Sequence, residues 1–369
     1  APAPAVLGGV LAQTIPFAFD QLGVLQLLAL WPTLALLASI VAWAQEGRRR
    51  HAIAIGLSLA ASALTCGYLF ALTLLAVLPV ALGAGLARAR SDHVASARRW
   101  ANLAWAVGLP LVLAGPVVVG QRRRLEGHRW LRSTIDAGSA TASDWVGSGR
   151  AAPTLGLVAL GLAGAWLGRR QPAARFVAAV GLLGAVASFG TNLAFGPVRP
   201  WAWLVDEVSA FAQLRSPYRS AFLAQLALAA LGALALDALW RWRPTSKDAR
   251  AWTGPAVAVL ATALAVALAH PGPGSMAVAA RAPGIWHDRL RDLAAARPAT
   301  DPQAAVVFLP FAPSPATEDF AATTERMLQN LDTGVPMVNG YSGFFPSDHA
   351  TLRAQLRGFP DRRSLVALG

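Results

Sequence analysis

The sequence predicts an all-α polytopic membrane protein of about eight spans, followed by the start of a small extracytoplasmic α/β domain. Three observations carry this. Of 369 residues, 55% are hydrophobic and only 14% are charged, where a soluble domain carries about 25% charge. Up to residue 270, apolar runs alternate with short Arg-rich segments, as spans alternate with loops. After Pro271-Gly-Pro-Gly274 the hydropathy drops and no further span follows.

The elements follow in order. A spanning helix needs about 20 apolar residues, within a range of roughly 17–25. Residues 1–16 read as the tail of one span, followed by Asp20-Gln21; residues 22–44 are a full one, ended by Glu46-Gly-Arg-Arg-Arg-His51. The run 52–87 is too long for one helix and is split at Cys66-Gly67-Tyr68 into a short pair. Residues 100–119 span again, interrupted by Pro110 and Pro116. The polar stretch 120–152 suits an amphipathic helix lying in the membrane interface. Residues 153–168 and 174–190 form the next pair, and 218–239 and 252–269 the last. The chain begins within an apolar run and stops at Leu368-Gly369 with the pattern unfinished, so it is expected to be a piece of a longer protein.

Alternating these segments gives one topology. The basic loops 46–51, 88–99, 169–175 and 241–250 lie in the cytoplasm; the loops 120–152 and 191–217 and the tail from 271 lie outside. Arg122-Arg123-Arg124 runs against this charge rule. The division is thus a transmembrane helical domain, 1–270, and a truncated extracytoplasmic domain, 271–369. In the latter, Ala304-Ala-Val-Val-Phe-Leu309 reads as a buried strand ended by Pro310, and residues 318–331 have helical spacing.

Charge and cysteine content exclude several classes. The net charge is +13, almost all from Arg, with Lys247 the single lysine. Those arginines punctuate apolar runs, which fits anionic lipid and speaks against nucleic acid. One cysteine, Cys66, rules out an internal disulfide framework and a cysteine metal site. No phosphate loop, zinc-protease His pair or nucleophile elbow is present, and the apolar runs carry almost no acidic residues, which disfavours a proton-relay transporter.

The candidate site is Arg215-Ser-Pro-Tyr-Arg219, at the end of a Trp-rich loop and the start of a long apolar run. Guanidinium groups present a planar donor fork that matches phosphate, and a Pro in a helix's first turn forfeits no hydrogen bond. Backbone N–H groups of that turn would add anion attraction. The plain reading is interfacial anchoring, with Arg snorkelling and Tyr218 in an aromatic belt. Asp206 and Glu207 are an adjacent acidic pair able to hold a divalent cation or act as a base; loop solvation is their plain reading. Asp20 is a third acidic candidate, otherwise a helix cap. Trp201 and Trp203 can stack on a sugar or prenyl chain, or serve as belt residues. Tyr341 and Phe344 mark a Gly- and aromatic-rich loop, Gly340–Pro346. No metal ligand set is assigned; His349 and Asp348 read as helix-start residues.

Three stretches resemble the C-terminal half of bacterial GT-C-type membrane glycosyltransferases, which use polyprenyl-phosphate sugars. They are Gln26-Leu-Leu-Ala-Leu-Trp-Pro-Thr33 with the broken helix pair at Cys66-Gly-Tyr68, Phe211-Ala-Gln-Leu-Arg-Ser-Pro-Tyr-Arg219, and Leu309-Pro310 followed by Val338-Asn-Gly-Tyr-Ser-Gly-Phe-Phe-Pro346. The resemblance implies inverting sugar transfer from a lipid phosphate to a glycan, lipid or protein acceptor. It implies location in the bacterial inner membrane, with the reaction at its outer face. It also implies that the catalytic acidic loop, with a possible Mg or Mn site, precedes residue 1, leaving Arg215, Tyr218 and Arg219 as lipid-phosphate ligands. The alternative is a non-catalytic protein of the same fold, such as a lipid-linked polymer flippase or an assembly scaffold.

Overall fold

The computed structural model describes residues 2–21, 25–89, 93–124, 130, 132–208, 211–242, 252–268, 285–296, 305–311, 321–331, 333, 335–339 and 348–368. The chain divides into two compact units, Ala1–Pro273 and Gly274–Gly369.

The first unit runs α1 (Pro2–Gln13), α2 (Pro16–Asp20), α3 (Trp31–Glu46), α4 (Arg49–Thr65), α5 (Gly67–Ala89), α6 (His93–Leu113), α7 (Gly115–Arg124) and α8 (Arg132–Ala137). It continues with α9 (Leu155–Gly168), α10 (Pro172–Ser188), α11 (Pro200–Glu207), α12 (Ala221–Arg241) and α13 (Thr253–Ala267). Their ends are written in the sequence. Proline occupies the first turn of α2, α3, α10 and α11, where its missing N–H costs nothing. Gly47, at φ 66°, supplies the left-handed residue that ends α3. Thr154 caps α9 by accepting the Leu157 N–H at 3.1 Å. Cys66 is extended, at φ −155° and ψ 101°, and separates α4 from α5 at the expected break.

Helix α12 is the axis of this unit. Phe222, Leu223, Leu226 and Leu236 are fully buried, and α1, α9, α10 and α13 pack around them. Small residues let the backbones approach, as membrane helix interfaces require. A methyl group at Gly164 of α9 would collide with the Leu231 carbonyl of α12, and one at Gly184 of α10 would lie 2.6 Å from Leu223 Cβ. On another side of the unit, α4 packs against both α3 and α6.

Helices occur where the spans were expected, but fewer of them qualify as spans. Among the described residues, Pro2–Asp20 and Pro217–Arg241 are long and apolar enough to cross a bilayer. A third span arises if Ala101–Leu113 and Gly115–Gln121, bent by 51° at Ala114, count as one. Among the described residues the expectation of about eight is met only in part, and length is the reason. Helices α9, α10 and α13 have 14, 17 and 15 residues, roughly 21–26 Å against a hydrocarbon core of about 30 Å. The expected segments 153–168, 174–190 and 252–269 run only two or three residues past these helices, so the apolar runs themselves are short. The 22–44 segment likewise begins its helix only at Trp31, after a 3₁₀ turn at Leu25–Leu27.

The stretch 120–152 is not one interfacial helix. Its first residues extend α7 to Arg124, and after the short α8 the chain turns through a 3₁₀ segment, Ala142–Trp145. The turn is imposed by Arg150, which donates to the Ala137 and Ser139 carbonyls and to the Asp144 carboxylate.

The second unit contains α14 (Ile285–Ala296), α15 (Ala321–Gln329), α16 (His349–Leu356) and α17 (Arg362–Leu368). The expected strand 304–309 is reduced to a single parallel bridge, Val306 to Met337, and no strand forms among the described residues. The reason is local. Asn339 offers its side-chain amide to both the N–H and the C=O of Phe308, each at 2.6 Å, and so replaces the next rung of a ladder. Pro310 then lacks an N–H to continue it. The α/β expectation is therefore not met in the described part of this unit.

The close backbone approach predicts that Gly164→Ala destabilises the fold by about 1–3 kcal/mol through overpacking. Gly9→Ala, at a position with open space, is expected to be neutral. Thermal unfolding of the two detergent-solubilised variants, side by side, checks this; equal midpoints would contradict it.

Candidate functional site

From α11 the chain passes a 3₁₀ turn at Phe211–Gln213 and reaches Arg215. A second 3₁₀ turn, Pro217–Ser220, runs directly into α12, so that Pro217–Arg241 forms one 25-residue helix. Pro217 takes the first helical position and Ser220 Oγ donates back to its carbonyl at 2.8 Å. Arg215 and Arg219 thus flank the mouth of the most deeply buried apolar helix.

Other elements converge on this turn. Tyr68, at the start of α5, accepts the Ser216 N–H on its hydroxyl at 2.6 Å. Gly138, after α8, accepts the Tyr218 N–H at 3.0 Å, and a side chain at Gly138 would collide with the Arg215 carbonyl. Arg219 N–H reaches the Ser216 carbonyl at 3.1 Å. The backbone donors of the turn are therefore spent within the protein. The anion attraction expected from them is corrected: only side chains remain to bind a ligand here.

Those side chains are guanidinium groups laid on aromatic faces. Arg215 stands 4.8 Å from the Trp130 ring centroid, and Arg219 stands 5.3 Å from Tyr68 and 5.9 Å from Tyr218. Arg150 covers Tyr218 at 4.4 Å. Cation–π contacts of this kind contribute about 0.5–2 kcal/mol each and leave the guanidinium edge free to donate. Among the described residues, neither Arg215 nor Arg219 has a carboxylate partner, and Arg219 Nε is buried without an acceptor. A buried donor left unmatched costs about 1–3 kcal/mol, which an oxyanion at this position would offset.

Of the acidic candidates, Asp20 is exposed and comes to this cluster through Gln21. Gln21 Nε2 donates to Asp20 Oδ2 at 2.7 Å and to the Tyr218 hydroxyl at 2.9 Å. Asp206 and Glu207 end α11 in the solvent, and Asp206 faces Arg132 at 3.4 Å. Arg132 also pairs with Asp136. Trp201 is buried against Phe211, with ring centroids 5.4 Å apart, so it cannot stack on an outside ligand without unpacking. Trp203, on the opposite face of α11, is 61% exposed and can. Tyr341 and Phe344 lie outside the described residues, as does the rest of the Gly340–Pro346 loop. No group of three or more metal-ligating side chains occurs among the described residues.

Sequence reasoning missed Trp130, Arg150 and Gln21, and used Tyr68 only as a break marker. A usable signal existed for Gln21: an amide at the edge of an apolar run needs partners and so marks a packed polar junction. The Asp144–Arg150 clasp gave no such sign. Burial works against the charge of Asp144, but hydrogen bonds from the Thr141 N–H, Arg150 and the Thr141 hydroxyl outweigh it and hold the carboxyl below its ordinary value. Comparison with protein-family models, curated proteins and solved structures gives no match for this chain.

Because Asp144 ionises more readily in the fold than in an unfolded chain, the stability it supplies is present above about pH 4 and fades as pH falls through its lowered value. Hydrogen exchange at Ser139–Ala152, corrected for intrinsic rates, is expected to be slow at pH 6 and to loosen in the acid range. Asp144→Asn is expected to be loose throughout. An unchanged loop in that variant would contradict the clasp.

Proposed function

We propose that this chain is the membrane region of a GT-C-like glycosyltransferase that takes its sugar from a polyprenyl-phosphate donor. Arg215, Tyr218 and Arg219 hold the donor's phosphate, at the outer face of a bacterial cytoplasmic membrane, and the acceptor is a glycan, lipid or protein of the envelope. The observation that carries this reading is the pair of guanidinium groups at the mouth of α12, with no carboxylate partner among the described residues and with the buried Arg219 Nε unmatched. A phosphate leaving group gains charge as the glycosidic bond breaks, and fixed cations there stabilise that charge without reorganising. The exposed Trp203 suits a sugar face.

A second reading, a non-catalytic binder of the same lipid such as a flippase or scaffold, is favoured by the state of the carboxylates. Asp206 is engaged by Arg132, which leaves Asp20 as the acidic candidate tied to the arginine cluster.

Turnover of radiolabelled polyprenyl-phosphate sugars by the full-length protein separates the readings. The glycosyltransferase reading expects transfer from at least one donor, reduced at least a hundredfold by Arg215→Ala with expression and membrane insertion unchanged. Donor binding without transfer supports the second reading. Neither binding nor transfer across several donors, or full activity in Arg215→Ala, overturns the phosphate role.

A further inference from the structure

Tyr218 carries a hydrogen-bond donor that the described residues leave unused, and the reason lies in Gln21. Gln21 is 5% exposed and closes α2, its own N–H bonded to the Phe17 carbonyl. Its Nε2 is within bonding distance of both Asp20 Oδ2 and the Tyr218 hydroxyl. A carboxylate oxygen only accepts, which fixes the amide with its nitrogen toward both partners. Both amide hydrogens are then spent, one on Asp20 and one on the Tyr218 oxygen. That oxygen is an acceptor in the bond, so the hydroxyl keeps its own hydrogen, for which no acceptor exists among the described residues. The centroid of the ring bearing it is 4.4 Å from Arg150 and 5.9 Å from Arg219.

Asp20 is the competitor that makes this arrangement matter. Without the Gln21 amide, the Tyr218 hydroxyl would turn to the nearby carboxylate, a stronger acceptor than any neutral group. Gln21 occupies Asp20 and at the same time approaches Tyr218 as a donor. Both acts leave the Tyr218 hydrogen without an acceptor among the described residues.

We propose that Gln21 is a positioning residue of the arginine site, which makes the Tyr218 hydroxyl an obligate donor to the phosphate oxygen that Arg215 and Arg219 hold. This rests on the phosphate reading above. Tyr218 and the two arginines then act as a three-pronged donor set, of which the phenol prong depends on a residue almost two hundred positions away in the chain.

The test is equilibrium binding of farnesyl phosphate and of farnesol, its phosphate-free counterpart, to the full chain in nanodiscs. Wild type is expected to prefer farnesyl phosphate. Gln21→Leu and Tyr218→Phe are each expected to weaken farnesyl phosphate roughly tenfold or more, the size of one hydrogen bond to a charged group, and to leave farnesol unchanged. The double variant is expected to bind no more weakly than either single one, since both remove the same donor. Gln21→Glu covers the case in which the Leu variant does not fold. It is nearly isosteric, and it takes the Tyr218 hydrogen for itself, so it too is expected to lose phosphate preference. Wild-type preference in either Gln21 variant, additive losses in the double variant, or a parallel loss of farnesol overturns the positioning role alone. Absence of any preference in the wild type overturns the phosphate reading and this inference with it.

Discussion

Gln225 lies near the start of α12, wholly buried in a helix that is otherwise almost entirely apolar, and the first unit is organised around satisfying it. Its carbonyl oxygen accepts the Phe17 N–H at 2.9 Å, and its amide nitrogen donates to the Ala151 carbonyl at 3.1 Å. Phe17 is in the first turn of α2, where an N–H has no partner within its own helix. Ala151 lies in the loop just before α9. One side chain therefore fixes the α1–α2 junction and the 139–152 loop to the same stretch of α12. In an apolar setting such an amide is costly to leave unpaired, so the three segments are held in one register.

The arginine cluster depends on that register. The α1–α2 junction brings Asp20 and Gln21 to Tyr218, and the anchored loop brings Arg150 over the same ring. Tyr68 reaches Ser216 from the start of α5, whose residues pack on α10, itself packed on α12. The small-residue contacts of α9 and α10 with α12 set the depth at which these pieces meet. Each contact is worth little alone. Together they hold two guanidinium groups on aromatic faces, with no carboxylate partner among the described residues, which is an unusual state for half-buried arginine.

Local signals in the sequence account for much of this. Pro217 marks the start of the longest helix, Cys66-Gly67 marks a true break, and Arg215 and Arg219 are conspicuous from their placement alone. Two kinds of error have physical causes. Hydropathy reports how apolar a stretch is but not where a helix starts or ends, so the segments 153–168, 174–190 and 252–269 each run past α9, α10 and α13. Likewise, Ala304–Leu309 has the composition of a strand, yet a strand needs a partner, and at Phe308 the side chain of Asn339 takes that place. What was illegible is long-range. Nothing around Tyr68 indicates that it will meet Ser216, 148 positions away. The burial of Trp201 and exposure of Trp203 follow from which face α11 presents, which a two-residue spacing does not reveal.

We propose the end of α12 flanked by Arg215 and Arg219 as a seat for a lipid-linked phosphate. Its most direct measurement is a high-resolution cryo-electron microscopy structure of the full-length protein in nanodiscs with a polyprenyl phosphate. Phosphate density is expected within hydrogen-bonding distance of both guanidinium groups, including Arg219 Nε, and of the Tyr218 hydroxyl, with the prenyl chain running along apolar helix surface. Phosphate density elsewhere, with Arg215 and Arg219 engaged by carboxylates of the protein, would contradict it.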